Sequence, residues 1–379
     1  MIYQNKTNSN TQGIPSIPQD YHPKSRFWLR LKRKILRHVW FVRTGLLLGI
    51  VAGVGLSFLI LGFVLGRLGI PNYIHLLGDF IFTPQAQIKQ QVGRTNLLIL
   101  GKAGAGHTAP DLTDTVIFAS VSHQEPSVVT VSLPRDIWVP AIRAKLNSAY
   151  YWGGERQPGG GIILAKSIVE EIVGEHIHYA LVIDFSGFKG IVDVLGGINV
   201  DVERAFIDEK YPIPGKENDN CEGDKEYKCR YETIRFEKGI QNMNGETALK
   251  FVRSRNAEGE EGTDLARAVR QQKALVAIKN KVLTPKVFLS PKKVTGILRV
   301  VRASVETDID LSAGAILVRR IFEARENLAS YVLSEEFLIH PPISPRYDNQ
   351  YVFIPKGEGW DKVHVWISCL FKINCLEGR

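Results

Sequence analysis

"YALVIDFSGFKGIVDVLGGINVDV", residues 179–202, changes its hydrophobic period twice. The first six residues are an almost unbroken apolar run closed by Asp184, the pattern of a strand buried on both faces. "FSGFKGIVDVLGG" then spaces its apolar residues at helical intervals and closes on two glycines, which suit the left-handed residue that ends a helix. "INVDV" alternates again, as a strand does. Strand, helix and strand in succession predict an α/β domain, a sheet covered by helices.

The flanks extend the same alternation. Upstream, "TNLLIL" (95–100) runs into the Gly-rich turn "GKAGAGH", and "DLTDTVIFASV" (111–121) and "SVVTVSLPRDIWVP" (127–140) read as further strands with charged residues at their ends. "GGGIILAKSIVEEIVG" (159–174) reads as a helix. Downstream, about 205–235 is polar and rich in Pro and Gly, a surface excursion. "MNGETALKFVRSRN" (243–256) predicts a short helix leading into a strand, and "GTDLARAVRQQKALVAIKNKVL" (262–283) a helix capped by Thr263 or Asp264. In sheets flanked by helices, ligands bind where strand ends open.

The formal net charge of +9 has a local source. Residues 24–43 carry eight Lys and Arg side chains, Lys24, Arg26, Arg30, Lys32, Arg33, Lys34, Arg37 and Arg43, and no acid. Straight after comes "GLLLGIVAGVGLSFLILGFVLG" (45–66), long enough at ~1.5 Å per residue to cross a hydrocarbon core of ~30 Å. The run predicts a single-pass signal anchor with the N-terminus in the cytoplasm and the rest outside. A cleaved signal peptide is the competing reading, but no small-residue cleavage site follows closely. The basic run sets topology and touches anionic lipid heads, and no folded nucleic-acid reader accompanies it.

Four cysteines fall in two local pairs, Cys221 with Cys229 and Cys369 with Cys375. In an oxidising space each pair predicts a disulfide; zinc is the alternative, but neither spacing is that of a zinc knuckle and no His lies near. Arg253 and Arg255, two apart on the expected strand, share a face, as do Arg267 and Gln271 on the helix, with Arg270 beside them. With Arg135 after Pro134, several elements offer the planar fork that suits phosphate oxygens, against the alternative of scattered surface arginines. HExxH and GxSxG are absent, "SPKK" at Ser290 lacks its companion motifs, "GKAGAG" lacks the ending of a nucleotide loop, and His176 and His178 read as packing or surface residues.

"LTDTVIFASV", "VVTVSLPRDIWV", "KLNSAYYWGG", "FSGFKGIVDVLGGINVDV", "NGETALKFVRSR" and "RAVRQQ", in this order behind one anchor, resemble the LytR-CpsA-Psr family over about residues 93–282. The resemblance implies an α/β/α sandwich with a central mixed sheet and a deep apolar pocket for a polyprenyl chain. It implies a phosphotransferase that moves a glycopolymer from a polyprenyl (undecaprenyl) pyrophosphate carrier to a cell-wall acceptor, in better-known members the C6 hydroxyl of N-acetylmuramic acid in peptidoglycan. By matching motif, Asp114, Arg135, Arg253 and Arg255 are the expected catalytic residues. Arg135, Arg253, Arg255, Arg267 and Gln271 hold the pyrophosphate, and Asp114 binds Mg²⁺. Asp136 and Lys145 fall within matching blocks, Lys145 as a further pyrophosphate contact.

One departure concerns the metal. Where the family carries a second aspartate after the first strand, this chain has Ala103. Asp111 is a candidate second ligand, or a turn residue bonding its own backbone; His107 is a candidate ligand or base, or a bystander. A non-enzymatic, membrane-anchored binder of polyprenyl-linked glycan or wall polymer is the second functional reading. The expected organisation is a basic cytoplasmic segment at 1–44, a transmembrane anchor at 45–67, a linker at 68–92, the catalytic domain at 93–283 and a smaller α+β appendage at 284–379, with a membrane-bound, extracytoplasmic site.

Overall fold

The computed structural model describes residues 87–105 and 109–372 continuously, and scattered positions ahead of residue 85. Most of the expected anchor at 45–67, His107 and Cys375 lie outside the described residues; among those described, no helix is long and apolar enough to cross a membrane. The chain divides into two units, Met1–Leu65 and Gly66–Arg379. The described positions of the first, such as Trp28 and Leu56, are helical.

The strands of the second unit are β1 (Arg94–Lys102), β2 (Thr113–Ser122), β3 (Val128–Leu133), β4 (Trp138–Val139), β5 (Ala144–Lys145), β6 (Tyr179–Asp184), β7 (Ile198–Val202), β8 (Phe206–Pro212), β9 (Tyr231–Phe236), β10 (Gly239–Met243), β11 (Val305–Thr307), β12 (Leu328–Val332), β13 (Leu338–Ile339) and β14 (Ile354–Pro355). Its principal helices are α1 (Ala149–Arg156), α2 (Gly160–Val173), α3 (Phe185–Leu195), α4 (Gly245–Arg253), α5 (Asp264–Val282), α6 (Pro291–Ser304), α7 (Leu311–Glu323) and α8 (Asp361–Leu370). A six-stranded sheet in the order β11-β6-β1-β2-β3-β12 forms the centre. It is mixed: β1 runs parallel to β6 and antiparallel to β2, and β12 runs parallel to β3.

Alternation along the strands gives the sheet two different faces. Leu98, Leu100, Val116, Phe118 and Val131 point to one side, where they pack against α1, α2 and α8 in the largest core cluster. Leu97 and Ala119 point to the other side, under Ala313, Ile316 and Leu317 of α7. Further along this second face, Ile99, Gly101, Ile117 and Ile183 line a cavity beneath α3, α4 and α5.

The decisive stretch folds as its periodicity predicts. Asp184 caps α3 by accepting from the Gly187 amide at 2.8 Å, and Gly196 closes it at φ +80°. Asn244 caps α4 and Thr263 caps α5 in the same way. "INVDV" is indeed a strand, but β7 pairs only with β10, outside the central sheet.

Two expectations need correction. Residues 284–379 are no separate appendage, because β11 and β12 form the two edges of the central sheet and α8 buries Val363 and Ile367 in its main core. Arg253 and Arg255 do not share a strand: Arg253 ends α4, and residues 254–256 are irregular. The helix runs on through "FVR" because Ala248, Leu249, Phe251 and Val252 bury one helical face. Cys221 and Cys229 are joined in a disulfide, and Cys369 is disulfide-bonded as well.

Of the two histidines that read as packing or surface residues, His176 is exposed, with Nδ1 2.8 Å from Glu170, and His178 is buried and accepts from the Asn96 amide. At the same end of the sheet His123 is buried with Nε2 2.7 Å from Thr95 Oγ1, while its Nδ1 has no partner. Burial, then the positive charges of Arg320 and Arg94, push His123 down to about 4. An unfolded His titrates near ~6.5, so between those values the unfolded chain takes up a proton that the native chain refuses. Native stability therefore falls as pH drops from about 6.5 toward 4. Thermal unfolding at pH 7, 5.5 and 4.5 should show a shallower acid decline for His123→Gln than for the wild type, and parallel declines would contradict this.

Candidate active site

The cavity on the second face measures about 520 Å³. Its inner wall is apolar, from Ile99, Ile117 and Ile183 on the sheet to Phe185, Phe188, Leu249, Val252 and Leu275 on the helices. Its polar lining includes Asp114, Asp184, Arg253, Arg255, Asp264, Arg267 and Gln271. Five of the residues singled out from the sequence, Asp114, Arg253, Arg255, Arg267 and Gln271, thus meet in one place. Arg135 reaches it through Asp114, which accepts from Arg135 Nη1 at 2.5 Å.

Each arginine is held by a different device. Arg253 lies over the ring of Phe185, 4.2 Å from its centroid, and donates to the Tyr211 hydroxyl at 3.3 Å. Burial pushes the Tyr211 phenol up to about 12, so it remains protonated. Arg255 follows α4 in the irregular turn, where Asp208 does the positioning: its fully buried carboxylate accepts from Ser254 Oγ at 2.7 Å and from the amides of Arg255 and Asn256 at 3.2 and 3.1 Å. Arg270 clamps the same turn from the other side, donating to the carbonyls of Phe251 and Ser254 and to Glu261. It is therefore a structural staple and not a member of the arginine set.

Arg267 is the most enclosed cation of the site, 5% exposed. Asp264, one helical turn earlier on α5, meets it at 3.0 Å and also faces Arg255 at 3.5 Å. Burial pushes Arg267 down to about 10; Asp264 opposes this, and Arg135 and Arg255 add to it. Arg135 shows the opposite balance, since the carboxylates of Asp114 and Asp136 outweigh the effect of burial and raise it.

The remaining expected residues stand elsewhere. Asp111 is held by Lys102 at 2.8 Å and does not line the cavity. Lys102 reaches it because the β1–β2 register shifts between Gly101 and Lys102, bringing Lys102 opposite Thr113. Lys145 salt-bridges Asp136 at 2.7 Å and lines no part of the cavity; it steadies Asp136, which in turn meets Arg135 at 3.3 Å.

Sequence reasoning missed Asp184, Asp208, Asp264 and Tyr211. The three-residue spacing of Asp264 and Arg267 on one helix was a usable signal. Asp184 comes to the cavity because β6 lies beside β1, and a side chain at Gly104 (φ +82°) would approach Asp184 to 2.8 Å. Among the described residues one group of three metal-type ligands occurs, Asp219, Cys221 and Cys229, and its cysteines are spent in the disulfide.

A model of the LytR_cpsA_psr family matches residues 81–364. A polyisoprenyl-teichoic acid–peptidoglycan teichoic acid transferase, TagU, of Oceanobacillus iheyensis is 27% identical over 249 residues, covering 64% of this chain and 68% of its own length. TagV of Bacillus subtilis, a transferase of the same description, is 26% identical over 259 residues, covering 66% of this chain but only 58% of its own length. The crystal structure of B. subtilis TagV superposes with a TM-score of 0.53 at 22% identity, covering 74% of this chain and 97% of that one, a likeness of fold.

Proposed function

The chain belongs to the LytR_cpsA_psr family, and on that premise we propose that it is a membrane-anchored transferase acting outside the cytoplasmic membrane. It moves a glycopolymer from a polyprenyl pyrophosphate carrier to peptidoglycan or another wall acceptor. The observation that carries this reading is the convergence of Arg135, Arg253, Arg255 and Arg267 with Asp114 at an apolar cavity. A lipid tail needs the apolar wall and a pyrophosphate needs the guanidinium groups, and few other ligands need both.

The acceptor hydroxyl oxygen attacks the phosphorus that bears the glycan. The bond from that phosphorus to the bridging oxygen breaks, polyprenyl phosphate leaves, and the glycan is left in a phosphodiester with the acceptor. Asp114 is 40% exposed and engaged by Arg135 through Oδ1, so it can receive the hydroxyl proton and pass it to solvent. The arginines neutralise charge that builds on the phosphoryl oxygens, and removing one such donor costs ~10²- to 10³-fold in rate.

Mg²⁺ suits the hard carboxylate donors available. It takes one or two carboxylates and completes its shell with water and phosphate oxygens. Asp114, with Asp184 on the same cavity wall, are the residues that would hold it, and when bound it adds positive charge at the phosphates.

The test is release of polyprenyl phosphate from a polyprenyl pyrophosphate-linked glycan by the full chain in detergent micelles, with acceptor glycan present and with or without Mg²⁺. Asp114→Ala and Arg253→Ala should each lower the rate about 10²- to 10³-fold. Donor binding with no turnover, with an acceptor that a related transferase accepts, would replace the transferase by the glycan-binding reading.

A further inference from the structure

A second cavity, of about 380 Å³, borders the same residues. Asp114, Asp264, Arg267 and Gln271 line both. Beyond this shared wall the second cavity is largely apolar as well, but it adds four residues of another kind, Asp136, Glu335, Tyr351 and Phe353. Three of the four lie at 335–353, outside every motif block that carries the family resemblance.

The geometry points to an acceptor-sugar subsite here, with Tyr351 as the platform for a pyranose ring and Glu335 as an acceptor for its hydroxyls. This rests on the transferase reading above. Phosphoryl transfer proceeds with the attacking and leaving oxygens roughly in line across phosphorus. If the lipid phosphate leaves toward the apolar cavity, the nucleophile must approach across the shared residues, and the second cavity borders those residues with a lining that is otherwise its own. Asp114, Asp136 and Asp264 are paired with Arg135 and Arg267 on this side, and Glu335 adds a further carboxylate that suits a neutral polyhydroxyl better than a second phosphate.

Tyr351 is built to serve as a platform. It is 46% exposed, lies 3.9 Å from the ring of His340 at a tilt of 36°, and meets Phe353 edge-on at 5.5 Å. His340 is itself fixed by a 3.0 Å contact of its Nδ1 with the Val352 carbonyl. The strip is tied to the Arg135–Asp136 segment by main-chain bonds, since the Phe353 amide donates to the Asp136 carbonyl at 3.0 Å and the Trp138 amide to the Phe353 carbonyl at 2.8 Å. The platform therefore keeps a set distance from the arginine that holds Asp114. Partial burial, then the charges of Glu335, Asp136 and Asp264, raise the phenol of Tyr351 above its ordinary value, so it stays a hydrogen-bond donor.

The experiment measures transfer by the full chain in micelles from a polyprenyl pyrophosphate-linked disaccharide to a soluble, uncrosslinked peptidoglycan oligosaccharide. Loss of the stacking ring in Tyr351→Ala should raise the acceptor KM about tenfold with the donor KM unchanged. Tyr351→Phe keeps the ring and should stay within about threefold of wild type in acceptor KM, which separates stacking from misfolding. An unchanged acceptor KM in Tyr351→Ala, or a donor KM that rises in step with it, overturns the subsite while leaving the transferase intact. If the wild type transfers nothing, saturation-transfer NMR with the oligosaccharide alone decides: binding lost in Tyr351→Ala supports the subsite and rejects the transferase, whereas no binding by the wild type rejects both.

Discussion

Arg267→Met should lower kcat/KM for the donor by about 10²- to 10³-fold without lowering the thermal midpoint. The substitution keeps an unbranched apolar stem in the space that the arginine fills and removes only the guanidinium. In the protein without substrate that group is a liability, since it is 5% exposed, faces Arg135 and Arg255, and is pushed down to about 10 by burial and then by those neighbours. Its single salt-bridge partner, Asp264, keeps Arg255 when Arg267 is gone. A buried cation with too little counter-charge is what a pyrophosphate would neutralise on binding, so the cost carried by the free protein becomes affinity and rate in the complex. Steady-state kinetics beside differential scanning calorimetry checks both halves. A midpoint lowered by more than about 5 °C would mean that the guanidinium holds the fold, and the activity loss would then say nothing about phosphate.

Asp208→Ala is expected to produce a large loss of stability while leaving every cavity-lining side chain in place. Its carboxylate is fully buried and accepts from Ser254 Oγ, from the amides of Arg255 and Asn256, and from the Lys210 amide at 3.0 Å. Bonds to a charged acceptor contribute ~1.5–3 kcal/mol each, and buried donors left unmet cost ~1–3 kcal/mol, with strong non-additivity. A net loss of about 4 kcal/mol, or roughly 10 °C in midpoint, follows for a domain of this size. Asp208→Asn retains one acceptor oxygen and should recover part of it. Urea unfolding and calorimetry of the three proteins measure this, and a loss below about 1 kcal/mol would show that solvent already satisfies those donors.

The two substitutions separate what was legible in the chain from what was not. Asp114, Arg253, Arg255, Arg267 and Gln271 were chosen from motif and spacing, and they do meet at one cavity. Arg253 and Arg255 converge because Asp208 and Arg270 shape the turn after α4, and not because they alternate on a strand. Asp208 carries no local signal: it is an acidic residue in β8, among polar neighbours, 46 positions before Ser254. Asp111 stands away from that cavity for a related reason, since a register shift in β1 set Lys102 within reach of it.

Local patterns of the sequence determined the elements. Period and capping residues such as Asp184, Asn244, Thr263 and Gly196 act within one or two turns of the chain, and the α/β alternation followed from them. Which elements became neighbours was decided only in three dimensions. That β11 and β12 edge the central sheet, that β7 leaves it, and that Tyr351 stands beside the arginine site depend on contacts between residues far apart in sequence. Such contacts are selected by burial of whole faces, a sum over many side chains that no short stretch contains.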